Sequence, residues 1–289
     1  MKNKLPFFKY LLALLMFGTN GIVASHIDLS SYEIVLLRTF IGSLFLVAIF
    51  FLTGGKQSFY KHKKQSAFLA VSCIAMGASW MFLYEAYSQI GVSISSLLYY
   101  CGPVIVMVLS PLLSKERLTL PKITGFIAVL AGICLVNGNI SGQLNKWGIF
   151  CGLMSAVMYA FMVICNKKAK DITGLENSML QLFISFLTAA VFVGIKQGYA
   201  MDIQTESVLP IVILGFVNTG VGCYFYFSSI GKLPVQTVAV CGYLEPLSAV
   251  IVSSLLLDEQ LTMLQFIGAV LIIGGAMCGE LVKRKTKQE

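Results

Sequence analysis

The 289-residue chain is poor in charge: Asp, Glu, Lys and Arg make up 12% of it, against about 25% in a soluble domain. Apolar residues make up 57%, so polar side chains could not cover a water-exposed globule of this size. This shortage excludes a soluble enzyme, a disordered regulator and a disulfide-stapled secreted module, and leaves the lipid bilayer as the main solvent. Histidine is confined to His26 and His62, and the four aspartates, Asp28, Asp171, Asp202 and Asp258, fall at expected helix ends or loops. An intramembrane nucleophile, base or metal constellation is therefore missing, and no P-loop is present to drive a pump with ATP. The eight cysteines show no close spacing of a zinc or redox motif and read as packing residues. No enzyme activity, cofactor or metal is expected.

What is present is length in apolar runs. A spanning helix needs about 20 residues, and ten such segments fit: Tyr10–Ser25, Tyr32–Thr53, Ser66–Gln89, Ser93–Leu113, Lys122–Asn137, Trp147–Asn166, Leu175–Lys196, Ser207–Ile230, Val235–Leu257 and Met263–Val282. The first imitates a secretory signal, with Lys2 and Lys4 before an apolar run and Ala24-Ser25 after it, but it has a mid-chain counterpart that nothing would cleave. The net charge of +8 does not require nucleic acid. With the N-terminus inside, eighteen of the 21 Lys and Arg residues fall in inner segments and only Lys146 and Lys196 in outer ones, while Arg38 lies within a span. The positive-inside rule then places both termini in the cytoplasm of a plasma or inner membrane.

Lys115-Glu116-Arg117-Leu118-Thr119 matches Asp258-Glu259-Gln260-Leu261-Thr262 at an offset of 143. The same ungapped offset pairs Tyr100 with Tyr243, Pro103 with Pro246, Gly77 with Gly220, Gly125 with Gly268, Glu33 with Glu176 and Asp28 with Asp171. The chain divides into residues 1–143 and 144–289, two five-helix units. Five is odd, so the second unit enters the membrane from the opposite side. The expected fold is an all-α integral membrane protein of ten transmembrane helices, two inverted repeats around a central cavity.

The repeat, the turn motifs after the fourth and ninth helices with Gly125 and Gly268 beyond them, and Tyr243-Leu244-Glu245-Pro246 together resemble the drug/metabolite transporter superfamily, specifically its EamA-type members. The resemblance implies a secondary transporter of a small organic metabolite. Amino acids, amines, nucleobase-like compounds and drugs are all compatible with it, with a proton as the coupling ion. A channel, or a polytopic structural or receptor protein, is the competing reading.

Candidate site residues follow from polarity in the membrane, where a central charge costs at least about 2.5 to 3.5 kcal/mol. Arg38 and Glu85 lie about 9 and 7 Å from the outer ends of their helices at 1.5 Å per residue, and are expected to pair as strut or external gate. Glu245 sits near the centre of the ninth span, where desolvation favours its neutral form; it reads as a proton carrier, an amine counter-ion or a scaffold hydrogen bond. Pro246 and Pro103 remove helical donors at matching repeat positions, the helix breaks that mark a midplane site. Tyr99, Tyr100, Tyr243 and Trp80 offer hydroxyls and aromatic faces there. Asn20 and Asn218 are polar where their repeat mates Val163 and Ala75 are not. Capping boxes are expected at Ser30/Glu33 and Thr173/Glu176. Glycine pairs Gly148/Gly152 and Gly275/Gly279 allow close helix approach, and the second pair allows a homodimer contact.

Overall fold

A computed structural model describes residues 4–90, 92–103, 105–106, 109, 120–136 and 145–256, with short stretches at 263–264, 266–268, 270–271 and 274–275. The described residues are overwhelmingly helical and contain no strand. In chain order the helices are α1 (Lys4–Gly18), α2 (Asn20–Ala24), α3 (Ser31–Leu52), α4 (Lys63–Ile90), α5 (Val92–Tyr99), α6 (Leu120–Val136), α7 (Lys146–Lys168), α8 (Gly174–Lys196), α9 (Thr205–Val212), α10 (Gly222–Ile230), α11 (Val235–Cys241) and α12 (Leu244–Leu256). A π-helical segment, Ile213–Val221, joins α9 to α10.

Six of these stretches are long and apolar enough to cross a bilayer: Lys4–Ala24, Ser31–Leu52, Lys63–Ile90, Lys146–Lys168, Gly174–Lys196 and Thr205–Ile230. They coincide with six of the segments expected from composition. Leu44, Phe51, Val191 and Ile195 are exposed on their outer faces. Such surface is costly in water and neutral in lipid, and the protein is a multi-pass membrane protein. The other four expected spans run partly outside the described residues, as do the turn motifs 115–119 and 258–262 and Gly279.

Packing follows small residues. α4 lies along α7, α3 along α8 and the π segment, and α1 along α10 and α12. Gly148 is seated on Gln89 and Ile90, and Gly152 on Leu98, so this pair serves contacts within the chain. Gly42 of α3 faces the carbonyl of Gly215 and the amide of Gly220; an added Cβ would meet them at 3.0 and 3.1 Å, and Leu182 at 2.9 Å. Two of these neighbours are backbone and cannot rotate away. Gly42→Ala is therefore expected to cost about 1 to 3 kcal/mol, read as a lower unfolding temperature in detergent. Gly21→Ala, with nothing within 4 Å, should leave that temperature unchanged.

The helix starts behave differently from one another. Ser30 and Glu33 close a reciprocal capping box on α3, as the spacing predicts. Thr173 makes no side-chain cap. Glu176 instead reaches the loop between α3 and α4, accepting from the amides of Ser58 (2.6 Å) and Phe59 (2.9 Å) and from the Ser58 hydroxyl. Those amides open a short 3-10 turn, Phe59–Lys61, and lack helical acceptors of their own, so the carboxylate satisfies more donors there than at its own helix.

Candidate functional site

A cavity of about 540 Å³ runs into the bundle. Its mouth lies at the connector between α2 and α3, lined by Ser25, Ile27 and Leu29. None of its lining residues belongs to the described connectors at the opposite end, residues 53–62, 169–173 and 231–234. At that end the bundle is closed by Tyr10, whose hydroxyl donates to the Val238 carbonyl at 2.7 Å. Lys167 donates to the carbonyls of Ile230 (3.0 Å) and Leu233. The two carbonyls lie at and just beyond the C-terminal end of α10, in buried residues, where a cation is favoured by both the orphan carbonyls and the helix dipole.

The cavity wall is largely aromatic: Trp80, Tyr84 and Tyr87 from α4, Tyr99 and Tyr100 from the end of α5, Tyr159 from α7, and Tyr226 and Phe227 from α10. Trp80, Tyr84 and Tyr87 follow helical spacing, which turns them to one side of α4. Tyr159 and Tyr226 share a hydroxyl contact of 3.3 Å, and Tyr99 meets Tyr159 edge-on at 5.5 Å. Among the described residues, only two charged ones face this space, Arg38 and Glu245.

Arg38 is buried, and its guanidinium lies over the Trp80 ring, 4.8 Å from the centroid. Its Nε donates to Thr219 Oγ1 at 3.0 Å. Neither contact occupies the two terminal nitrogens, which carry the planar fork that matches a carboxylate or phosphate. The side-chain carboxylate of Glu245, partly accessible through the cavity, has no hydrogen-bond or ion-pair partner among the described residues. Arg38 is the charge that bears on it electrostatically. An unpaired cation and an unpaired carboxylate in one apolar, aromatic chamber form a bipolar site.

Glu245 owes its place to a helix break. α11 ends at Cys241, Gly242 and Tyr243 form a turn, and α12 begins at Leu244. Pro246 has no amide to give Gly242, and the Gly242 carbonyl accepts from the Glu245 amide instead, at 3.2 Å. A turn also falls at Tyr100, just after α5, three residues before the buried Pro103. Tyr243 does not line the cavity; it is fully buried, and its hydroxyl donates to the Tyr100 carbonyl at 3.0 Å.

Asn218 also stands behind the wall. Its amide donates to the Met16 carbonyl (3.1 Å), Thr19 Oγ1 (2.8 Å) and Asn20 Oδ1 (3.0 Å), holding the interruption between α1 and α2 and fixing the cavity residue Asn20.

The expected pairing of Arg38 with Glu85 is not formed. Glu85 points away from the cavity and meets Lys196 at 3.2 Å, Trp147 Nε1 at 3.2 Å, Gln89 Nε2 at 3.2 Å and the Tyr32 hydroxyl. Depth along a helix brought the two charges level; rotation about the helix axis separates them. Glu85 thus ties α3, α4, α7 and α8 together at the end where the cavity opens. Glu85→Ala is expected to strand the Tyr32 and Trp147 donors and cost about 2 kcal/mol or more of stability. Lys196→Ala should cost less, because that lysine is half exposed. Thermal unfolding of the two variants in one detergent compares them directly.

Tyr159, which lines the cavity, and Thr219, which holds Arg38, are residues that the expected site does not include. The polar run Asn218-Thr219-Gly220 inside an apolar span is the signal that could have drawn attention to Thr219. Among the described residues no group of three His, Cys, Asp or Glu side chains could hold a metal ion.

The geometry can be set beside known proteins. The chain matches the EamA-like transporter family model twice, over residues 6–138 and 146–278, and belongs to that family. It is 25% identical to the uncharacterized transporter YxxF of Bacillus subtilis (strain 168) over 285 residues, covering 96% of this chain and 90% of that one. It is 28% identical to an Escherichia coli (strain K12) protein described as a probable amino-acid metabolite efflux pump, over 68% of this chain and 71% of that protein. A solved crystal structure superposes with a TM-score of 0.82 at 17% identity, covering 96% of this chain and 98% of the other, a likeness of fold alone. The protein is a membrane transporter of the EamA family.

Proposed function

We propose that this transporter is a secondary carrier of the plasma or inner membrane that moves a small amphoteric metabolite, amino-acid-like in its charges, by alternating access coupled to protons. The carrying observation is the aromatic cavity with Arg38 and Glu245 both facing it and neither engaged in an ion pair among the described residues. Arg38 takes the acidic end of the substrate in its free fork, and the tyrosine and tryptophan faces hold the body. Glu245 binds a proton or the substrate amine, in turn or in competition, which couples the two. The amino-acid metabolite named for the Escherichia coli relative fits such a chamber.

Two five-helix units, 1–143 and 144–289, related by a two-fold axis in the membrane plane supply the moving parts. Several contacts support this relation. Arg38 meets Thr219, and Gln181 meets Met76 (3.6 Å); adding 143 to 38 and to 76 turns one pair into the other. Gly42 abuts Gly220, and Gly77 abuts Ser185, in the same relation. With lysines 56, 61, 63, 64, 167, 168, 170 and 232 at the closed end, the positive-inside rule makes that end cytoplasmic and the open mouth extracellular.

The test is a thermal-shift panel of amino acids, amines, organic acids and nucleobases on the purified protein, followed by counterflow in proteoliposomes. A ligand that binds only the folded form raises its unfolding temperature, and an amphoteric member of the panel is expected to do so. Its flux should saturate and accelerate with unlabelled substrate on the opposite side. Unsaturable flux would place the protein among channels. Stabilisation by amines or by acids alone would remove one of the two charges from the binding role.

A further inference from the structure

The π segment Ile213–Val221 lies in the eighth expected span, and its repeat counterpart, residues 70–78, is ordinary α-helix within α4. The two units therefore differ here in backbone as well as in side chains. A π turn bonds i to i+5 instead of i+4, which shifts the helical register and turns successive side chains to new directions; such turns gather at functional sites. The shift has visible effects at two adjacent residues. Asn218 turns to the interruption between α1 and α2, and Thr219 turns to α3 and Arg38.

The chemistry at Thr219 is directional. Its hydroxyl donates to the Leu214 carbonyl, five residues back, at 2.8 Å. A hydroxyl has one proton, so the oxygen it turns towards Arg38 is an acceptor only. That acceptor holds Nε, the one guanidinium nitrogen on the stem side, and Trp80 supports the plane from its face. The glycine contact of α3 on the π segment, Gly42 against Gly215 and Gly220, fixes the separation between the two elements one turn along from Arg38. In the other unit the equivalent partners are Gln181 and Met76, whose 3.6 Å amide-to-sulfur contact carries no charge.

From this arrangement we infer that Thr219 is a positioning residue: the π segment sets its hydroxyl to clamp Arg38 Nε, so that the remaining fork is aimed into the cavity as an anion receptor. The inference rests on the transport reading for its use, but its geometry can be tested without transport. Trp80 stacks on Arg38, and the chain has only one other tryptophan, Trp147. In a Trp147→Phe background Trp80 is the sole tryptophan, and excitation beyond the tyrosine absorption band makes it the reporter of the chamber. Iodide, an anion, and acrylamide, which is neutral, are the two quenchers.

In full-length protein in detergent, Thr219→Val is expected to lower the iodide quenching constant of Trp80 about tenfold, as one hydrogen bond to a charged group is lost. Acrylamide quenching should not change, and Thr219→Ser should restore the iodide value. Equal iodide constants in wild type and Thr219→Val would overturn the inference, as would Thr219→Ser behaving like Thr219→Val. Should the valine variant not fold, Thr219→Ala gives the same readout on a smaller side chain. Arg38→Ala must lose the iodide preference altogether; if it retains that preference, the receptor is not Arg38. A normal quenching series in a protein that carries no panel substrate would leave the positioning role intact and remove the transport reading, so the two fail separately.

Discussion

Arg38→Ala is expected to weaken binding of any anionic substrate by about a hundredfold, with KM rising and the unfolding temperature of the unliganded protein little changed. Truncating one partner of a buried, hydrogen-bonded charge pair costs about 2 to 5 kcal/mol, which brackets that factor. Arg38 is only 6% exposed, so the ion pair it forms with a bound anion is shielded from water and from salt. Its loss in the empty protein removes one hydrogen bond to Thr219 and one cation-π contact with Trp80, and it also relieves a desolvated charge. Equilibrium binding of the panel ligand, measured beside transport kinetics, separates these effects. An unchanged dissociation constant would make Arg38 a strut between α3 and the π segment.

Glu245→Gln carries the second large effect. With one proton moved per substrate, a gradient of one pH unit supports about a tenfold accumulation, since each unit is worth about 1.36 kcal/mol. Glutamine keeps the size and the hydrogen-bonding capacity of a neutral glutamic acid but cannot exchange a proton. The variant is expected to lose gradient-driven accumulation completely while still exchanging substrate for substrate across a membrane without a gradient. Accumulation that survives in Glu245→Gln would make the residue part of the scaffold around the α11–α12 turn. Loss of exchange as well as accumulation would identify it as a substrate ligand.

Much of the scaffold was legible in the sequence because the bilayer imposes simple rules. Apolar length marked the six long stretches that could cross a bilayer, and Ser30 with Glu33 marked the start of α3. The prolines pointed to turns that fall at Tyr100 and at Gly242–Tyr243. What sequence could not supply was rotation about each helix axis. Arg38 and Glu85 were level in depth, yet one faces the chamber and the other a polar hub with Lys196. Thr173 and Glu176 had the spacing of a cap, yet the orphan amides at Ser58 and Phe59 drew the carboxylate away. The π segment was hidden for a further reason: its register depends on α3 approaching backbone to backbone at Gly42, a contact between residues more than 170 positions apart in sequence.

The hydrogen bond from Tyr243 to the Tyr100 carbonyl joins two residues that are each other's counterpart in the repeat. Under the proposed two-fold relation, counterparts touch only where the axis passes, and a point on that axis would be a fulcrum: it would keep its place while the arms on either side trade positions. Spin labels near Ser25 and Lys232 should therefore report large swings during turnover, and a pair close to the two tyrosines should stay almost silent.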